Sequence, residues 1–179
     1  MTFAIARKIP QAHISLNDGN WAKKDFIGLE LSGKTAGIVG LGRVGQEVAK
    51  KFISLGMKIV AFDPYISQER ADQLGISLLD LSDCLTQSDI LTIHTPLTPD
   101  TKNLIGKKEL EKLSPGYLIN CARVGIVDEF ALADAVSNGI ISGAAIDVFS
   151  EEPISPENPL IGVKNIVVTP HLGASTGAA

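Results

Sequence analysis

Three glycines at a fixed spacing carry the first recognisable chemistry in this sequence. Gly40-Leu-Gly42-Arg-Val-Gly45 is a G-x-G-x-x-G run that ends the apolar stretch beginning at Thr35 and opens a helical pattern, Val44 to Leu55. Between a strand and a helix, such a turn lets backbone amides approach a pyrophosphate at the positive helix end. Gly40 permits the tight turn, and Gly45 lets helix and strand pack closely. The next predicted strand ends in Asp63, eighteen residues beyond Gly45. A carboxylate there can accept hydrogen bonds from an adenosine ribose and would repel a 2′-phosphate. With no Arg next to Asp63, the spacing points to NAD rather than NADP. A turn-capping role for Asp63, just before Pro64, stands as the alternative.

The remaining candidates for chemistry are few: three histidines and two cysteines. His13 sits on a predicted lead-in helix with no partner motif, which reads as structural. His94 ends a predicted strand and reads as a residue that shapes the following loop. Cys84 and Cys121 have no Cys-x-x-Cys or Cys/His partner at metal-ligand spacing, so neither a metal site nor a disulfide framework is expected. Cys84 reads as a core helix residue and Cys121 as a small apolar strand-end residue. A reducing, cytoplasmic setting fits this usage.

Several blocks together resemble the D-2-hydroxyacid dehydrogenases. Besides Gly40–Gly45 and Asp63 they are His94-Thr-Pro-Leu-Thr98, Asn120-Cys-Ala-Arg-Val-Gly-Ile-Val-Asp-Glu129, Gly143-Ala-Ala-Ile-Asp-Val-Phe-Ser-Glu-Glu-Pro153 and Thr169-Pro-His-Leu-Gly-Ala-Ser-Thr176. The resemblance implies that Arg123 holds a substrate carboxylate, that His171 is the acid/base for the hydroxyl proton, and that Glu152 rather than Glu151 is its carboxylate partner. It implies that Asp147 hydrogen-bonds the nicotinamide carboxamide. Cofactor contacts are implied at Gly40, Gly42, Arg43, Val44, Gly45, Asp63, Thr95, Pro96, Cys121, Ala122, Arg123, Asp147, His171, Gly173 and Ala174. A planar guanidinium suits bidentate carboxylate binding, and an imidazole suits proton transfer near neutral pH.

The implied reaction is NAD-dependent hydride transfer to or from a D-2-hydroxyacid. The last block tilts the substrate toward 3-phosphoglycerate, a serine precursor. Other hydroxyacids, including hydroxypyruvate and glyoxylate, remain open, and an NAD(H)-responsive corepressor-like interaction module is the reading from another class. Complete family members add a substrate domain from segments on both sides of the cofactor domain. This chain starts near the first crossover and stops near the second, so the substrate domain is expected to be largely absent and turnover by the chain alone to be weak or nil. A homodimer is a family expectation.

The elements that must position these residues follow the apolar pattern. Short continuous apolar strands are predicted at Thr35–Gly40, Lys58–Phe62, Ile90–His94, Tyr117–Asn120, Gly143–Ile146 and Ile166–Thr169. Helical stretches lie near 44–55, 68–74, 82–87, 107–112 and 129–138. Strands in alternation with helices indicate an α/β, doubly wound parallel sheet of the Rossmann type. A lead-in helix around Phe3–Leu16, which Pro10 kinks or restarts, divides the chain into a 1–30 lead-in and a 31–179 NAD-binding domain. Only Glu151–Pro159, rich in Glu and Pro, reads as a plainly solvated loop.

With 179 residues, 45% of them apolar and 20% charged, the chain can fill one well-cored globular domain. A net charge of −4 without a long Lys/Arg run gives no reason to expect nucleic acid or an anionic membrane as partner. The N-terminal residues show neither a cleavage signature nor a membrane-length apolar run.

Overall fold

The computed structural model describes residues 1–177. The last two positions of the expected 31–179 domain lie outside the described residues. Strands β1 (Thr35–Val39), β2 (Lys58–Phe62), β3 (Ser77–Leu78), β4 (Ile90–Ile93), β5 (Tyr117–Asn120), β6 (Gly143–Ile146) and β7 (Ile166–Val168) form one sheet. Their order is β3-β2-β1-β4-β5-β6-β7, and every pairing is parallel. Helices are α1 (Thr2–Ala6), α2 (Ile9–Asn17), α3 (Arg43–Ser54), α4 (Gln68–Gln73), α5 (Leu81–Thr86), α6 (Lys107–Lys112) and α7 (Glu129–Ser137).

The main strands read as largely apolar runs because both sheet faces are covered, and their side chains sort by period two between two cores. Ala36, Ile38, Ile59, Ala61, Ile119, Ala145 and Val167 face a core with Ile5 of α1 and Ala49 and Phe52 of α3. Val39, Val60, Leu118, Ala144, Ile146 and Ile166 face the other, with Cys84 of α5, Leu110 of α6 and Leu132 of α7. Ile38, Leu91, Ile93 and Leu118 are fully buried, each contributing about 1.5–3 kcal/mol.

The expected doubly wound parallel sheet is the one observed, with three local differences. The lead-in helix is two helices: the backbone turns at Lys8, which has φ +52°, and Pro10 falls in the first turn of α2, where a missing N–H forfeits no helical bond. Strand β3 has one polar and one apolar residue, too short for any periodicity to mark it. A 3₁₀ turn, Lys23–Phe26, lies in the crossover. Helix α1 packs against β5, β6 and β7, burying Ile5 and Ala6.

The chain turns from building the sheet on one side of β1 to building it on the other between β1 and β4. Ligands gather at such a switch point, in the crevice outside the carboxyl ends of the strands.

Candidate active site

The turn after β1 meets the turn after β4 at that switch point, and glycine is required for it. Gly40 has φ +93°, and a Cβ there would lie 2.8 Å from the His94 carbonyl and the Thr95 nitrogen. A Cβ on Gly45 would lie 2.1 Å from the Gly40 oxygen, whereas one on Gly42 would meet nothing within 4 Å. Two glycines are therefore needed for packing, while the middle one faces open space.

Helix α3 starts at Gly42 with no side-chain cap and no acidic residue in its first turn. By contrast Ser67, Asp80 and Asp128 cap α4, α5 and α7. The first-turn amides of α3, with Arg43 and Val44 exposed, are left for an anion.

Asp63, at the end of β2, is half-buried. Its Oδ2 accepts the N–H of Leu41 at 2.7 Å and its Oδ1 that of Tyr65 at 2.8 Å. The turn-capping role is real, and each oxygen keeps acceptor capacity for a further donor. Asp63 lines a cavity of about 250 Å³ with Gly40, Gly42, Tyr65, His94, Thr95 and Pro96. A second cavity, about 260 Å³, shares His94, Thr95 and Pro96 and adds Val44, Cys121, Ala122 and Arg123. The two adjoin across the switch point. His94 Nε2 lies 3.0 Å from Thr92 Oγ1, and burial lowers its pKa, favouring the neutral ring.

Arg123 owes its place to Asn120, a residue sequence reasoning passed over. Asn120 is buried at the end of β5. Its Oδ1 accepts the Ala122 N–H, and its Nδ2 donates to the Arg123 carbonyl, each at 3.0 Å. A polar residue closing an apolar strand was the available signal. Arg123 is exposed, and Nη1 donates to the Ala122 carbonyl at 2.7 Å; among the described residues no carboxylate pairs with it. Cys121 is half-buried, and burial followed by the Asp147 charge raises its thiol pKa. Cys84, buried in α5, is pushed up to about 11 by burial.

His171 and Glu152 come together as expected: Nδ1 lies 2.8 Å from Oε2. Glu152 Oε1 accepts the N–H of Phe149 at 3.2 Å. The hydrogen bond to the ring, then that from Phe149, holds the Glu152 carboxyl below the usual range. An ionised carboxylate can only accept, so Nδ1 carries the hydrogen of this bond. Both side chains are substantially exposed.

His171 has φ +53°, in a left-handed region that non-glycine residues seldom adopt. Asp147, nearly fully buried after β6, holds the loop there. Its Oδ1 accepts from the Thr169 hydroxyl and the Leu172 N–H, and its Oδ2 accepts the Gly173 N–H. Gly173 and Ala174 continue the same exposed loop. His13 is exposed and bonded to Asn17 at 2.9 Å.

Arg123, Glu152 and His171 thus stand on the turns after β5, β6 and β7, three neighbouring strands about 4.8 Å apart in the hydrogen-bonding direction. The glycine turn and Asp63 stand after β1 and β2. A ligand lying along the carboxyl edge would run from one group to the other.

The sequence profile of the NAD binding domain of D-isomer specific 2-hydroxyacid dehydrogenases matches residues 1–173. The chain belongs to this family. It is 51% identical over 180 residues to a D-3-phosphoglycerate dehydrogenase of Archaeoglobus fulgidus, a match covering 100% of this chain and 34% of that protein. The D-3-phosphoglycerate dehydrogenase of Mycobacterium tuberculosis is 49% identical with the same coverage. An NAD-dependent formate dehydrogenase from Staphylococcus aureus, solved in complex with NAD, superposes with a TM-score of 0.91 at 30% identity, over 98% of this chain and 53% of that one. The chain spans about a third of the length of the curated relatives it matches.

The cofactor of a domain of this family is NAD, and the residues present fit it. An uncapped helix start beside open space at Gly42 suits a diphosphate, and Asp63 has acceptors left for a ribose. Among the described residues no cluster of His, Cys, Asp and Glu could hold a metal ion, and no helix is long and apolar enough to cross a membrane.

Proposed function

We propose that this chain is the cofactor-binding part of an enzyme that oxidises a D-2-hydroxyacid, 3-phosphoglycerate first among candidates, and reduces the matching 2-oxoacid. The His171–Glu152 pair at 2.8 Å, beside Arg123 on the neighbouring strand ends, carries the reading. Identity near 50% to proteins named D-3-phosphoglycerate dehydrogenase supports this substrate.

NAD, when bound, supplies the hydride acceptor. In this reading the α3 amides at Gly42, Arg43, Val44 and Gly45 hold its diphosphate, Asp63 accepts from the adenosine ribose, and Gly40, Thr95 and Pro96 line the crevice. The turn at Cys121 and Ala122 and the loop at Gly173 and Ala174 flank the nicotinamide end. Asp147 has acceptor capacity left for the carboxamide beside its bonds to the loop. The Arg123 fork, engaged among the described residues through Nη1 alone, grips the substrate carboxylate in two parallel bonds and orients C2. His171 Nε2 takes the hydroxyl proton during oxidation and returns it during reduction. Glu152 orients the ring through the bond to Nδ1.

The exposed apolar side chains Ile9, Ile14, Leu16, Trp21 and Ile27 lie close together in sequence on α2 and the crossover, which supports a homodimer through this edge. Sedimentation of wild type and Trp21→Lys would test it. Two unpaired cysteines, one of them buried, favour a reducing, cytoplasmic compartment.

The reading is tested by replacing the matching third of the Archaeoglobus fulgidus enzyme with this chain and following NADH oxidation by 3-phosphohydroxypyruvate. The chimera should turn over. His171→Ala should lower kcat/KM by roughly hundredfold or more, and Arg123→Ala should raise KM for the oxoacid as well as lowering kcat. Near-parental turnover in both variants would overturn the assignment.

A further inference from the structure

We propose that Glu129 is a positioning residue for the proton-transfer pair: from the first turn of α7 it pins both feet of the 150–158 loop and so fixes where Glu152 stands. The inference rests on the roles given above to Glu152 and His171.

Glu129 Oε1 accepts the N–H of Ser150 at 2.8 Å, and its Oε2 accepts the Ser150 hydroxyl at 2.9 Å and the Asn158 Nδ2 at 2.8 Å. One carboxylate thereby receives three donors from the two ends of one loop. Between those ends the backbone forms no helix or strand, so no sheet ladder holds it. Glu152 lies two residues beyond Ser150, and Phe149, which donates to Glu152 Oε1, directly precedes Ser150. The Asn158 carboxamide is itself oriented, since its Oδ1 accepts the Leu160 N–H at 3.0 Å, and that turns its amino group toward Glu129.

The post that carries Glu129 is firm. Asp128 caps α7 through the Ala131 N–H, and Leu132, Ala133, Ala135 and Val136 are buried behind it. Hydrogen bonds and one backbone link therefore run from α7 through Glu129 and Ser150, by way of the adjoining Phe149, to Glu152 and on to the His171 ring. The loop that composition marks as plainly solvated is fastened at both ends.

The test follows the Glu152 carboxyl by ¹³C NMR across pH, together with the His171 Nδ1–H signal, in this chain. The charged groups bearing on Glu152 are His171 and Asp147. Glu129→Gln keeps the shape but can present an amino group to Asn158, while Glu129→Gln/Asn158→Asp restores an acceptor across that contact. The single variant should shift the Glu152 titration upward toward the usual carboxylate range and lose the Nδ1–H signal, with NAD affinity unchanged. The double variant should bring both back. An unchanged titration and signal in Glu129→Gln would overturn the proposal. So would a loss of NAD binding that the double variant fails to repair, which assigns Glu129 to the fold alone. If Glu129→Gln does not fold, Asn158→Ala, which frees one foot only, is read by the same two outcomes. Failure of the hydroxyacid reading would appear in the chimera's kinetics and leave this titration untouched.

Discussion

Oδ2 of Asp63, at the end of β2, accepts the backbone N–H of Leu41 at 2.7 Å, so the carboxylate proposed to meet a ribose also stitches the glycine turn to the neighbouring strand. Its two duties separate by substitution. Asp63→Asn keeps a carbonyl for Leu41, gives up the acceptor of the exposed Tyr65 N–H and removes the charge, so discrimination against NADP should fall while NAD binding weakens modestly. Asp63→Ala removes both, and NAD affinity should drop by roughly ten- to hundredfold, the equivalent of about 1.5–3 kcal/mol for bonds to a charged group. Calorimetric titration of both variants with both cofactors checks the order. Equal losses in the two variants would contradict it.

Gly42 and Gly45 should fail in different ways. A methyl on Gly45 meets the Gly40 carbonyl at 2.1 Å, a backbone atom that cannot rotate aside. Gly45→Ala should therefore cost about 1–3 kcal/mol or more and lower Tm by several degrees. A methyl on Gly42 meets nothing in the protein. Gly42→Ala should melt like wild type yet bind NAD at least roughly tenfold more weakly, because the methyl occupies the approach to the diphosphate. Thermal melts paired with cofactor titrations give both readings.

Asp147 should prove to be the latch of the histidine loop. Asp147→Asn presents an amino group where two backbone N–H donors now converge, leaving at least one part-buried donor without its acceptor at about 1 kcal/mol. Amide exchange at Leu172 and Gly173 should accelerate by roughly ten- to hundredfold. Unchanged protection at both amides would show that the loop is held by something else.

The Glu152 carboxyl should titrate below the usual carboxylate range and rise in His171→Ala, because the ring is the first cause of its depression and the Phe149 N–H the second. A carboxyl whose folded pKa is lowered contributes stability above its unfolded pKa and loses it as pH falls through the folded value. The contact between the two side chains should therefore open on the acid side, as the Glu152 carboxyl protonates, and solvent screening keeps its effect on global stability small. Carboxyl ¹³C shifts in the two proteins measure it.

The sheet was legible because each main strand is a short, largely apolar run closed by a glycine or polar residue, and burial on both faces leaves few polar interruptions, such as Thr92 in β4. Ser77 and Leu78 escaped notice because two residues cannot show a period. The glycine turn and Asp63 were legible because their chemistry is local in sequence. Arg123, Glu152 and His171 were recognised only through resemblance, since nothing within a few residues of His171 announces that Glu152 will fold against it. Asn120, Asp147 as a latch, and Glu129 depend on hydrogen bonds whose geometry appears only once the turns form. For Glu129 the partners lie 21 and 29 residues away, and a Glu in the first turn of a helix otherwise reads as an ordinary dipole contact.

Calorimetric titration of the folded wild-type chain with NAD and with NADP tests the central claim most directly. The account predicts saturable binding of one NAD per chain, tighter than NADP by roughly tenfold or more, as expected when a carboxylate meets the ribose instead of an Arg. Equal affinity for the two cofactors, or no saturable NAD binding by a chain whose melt shows it folded, would contradict it.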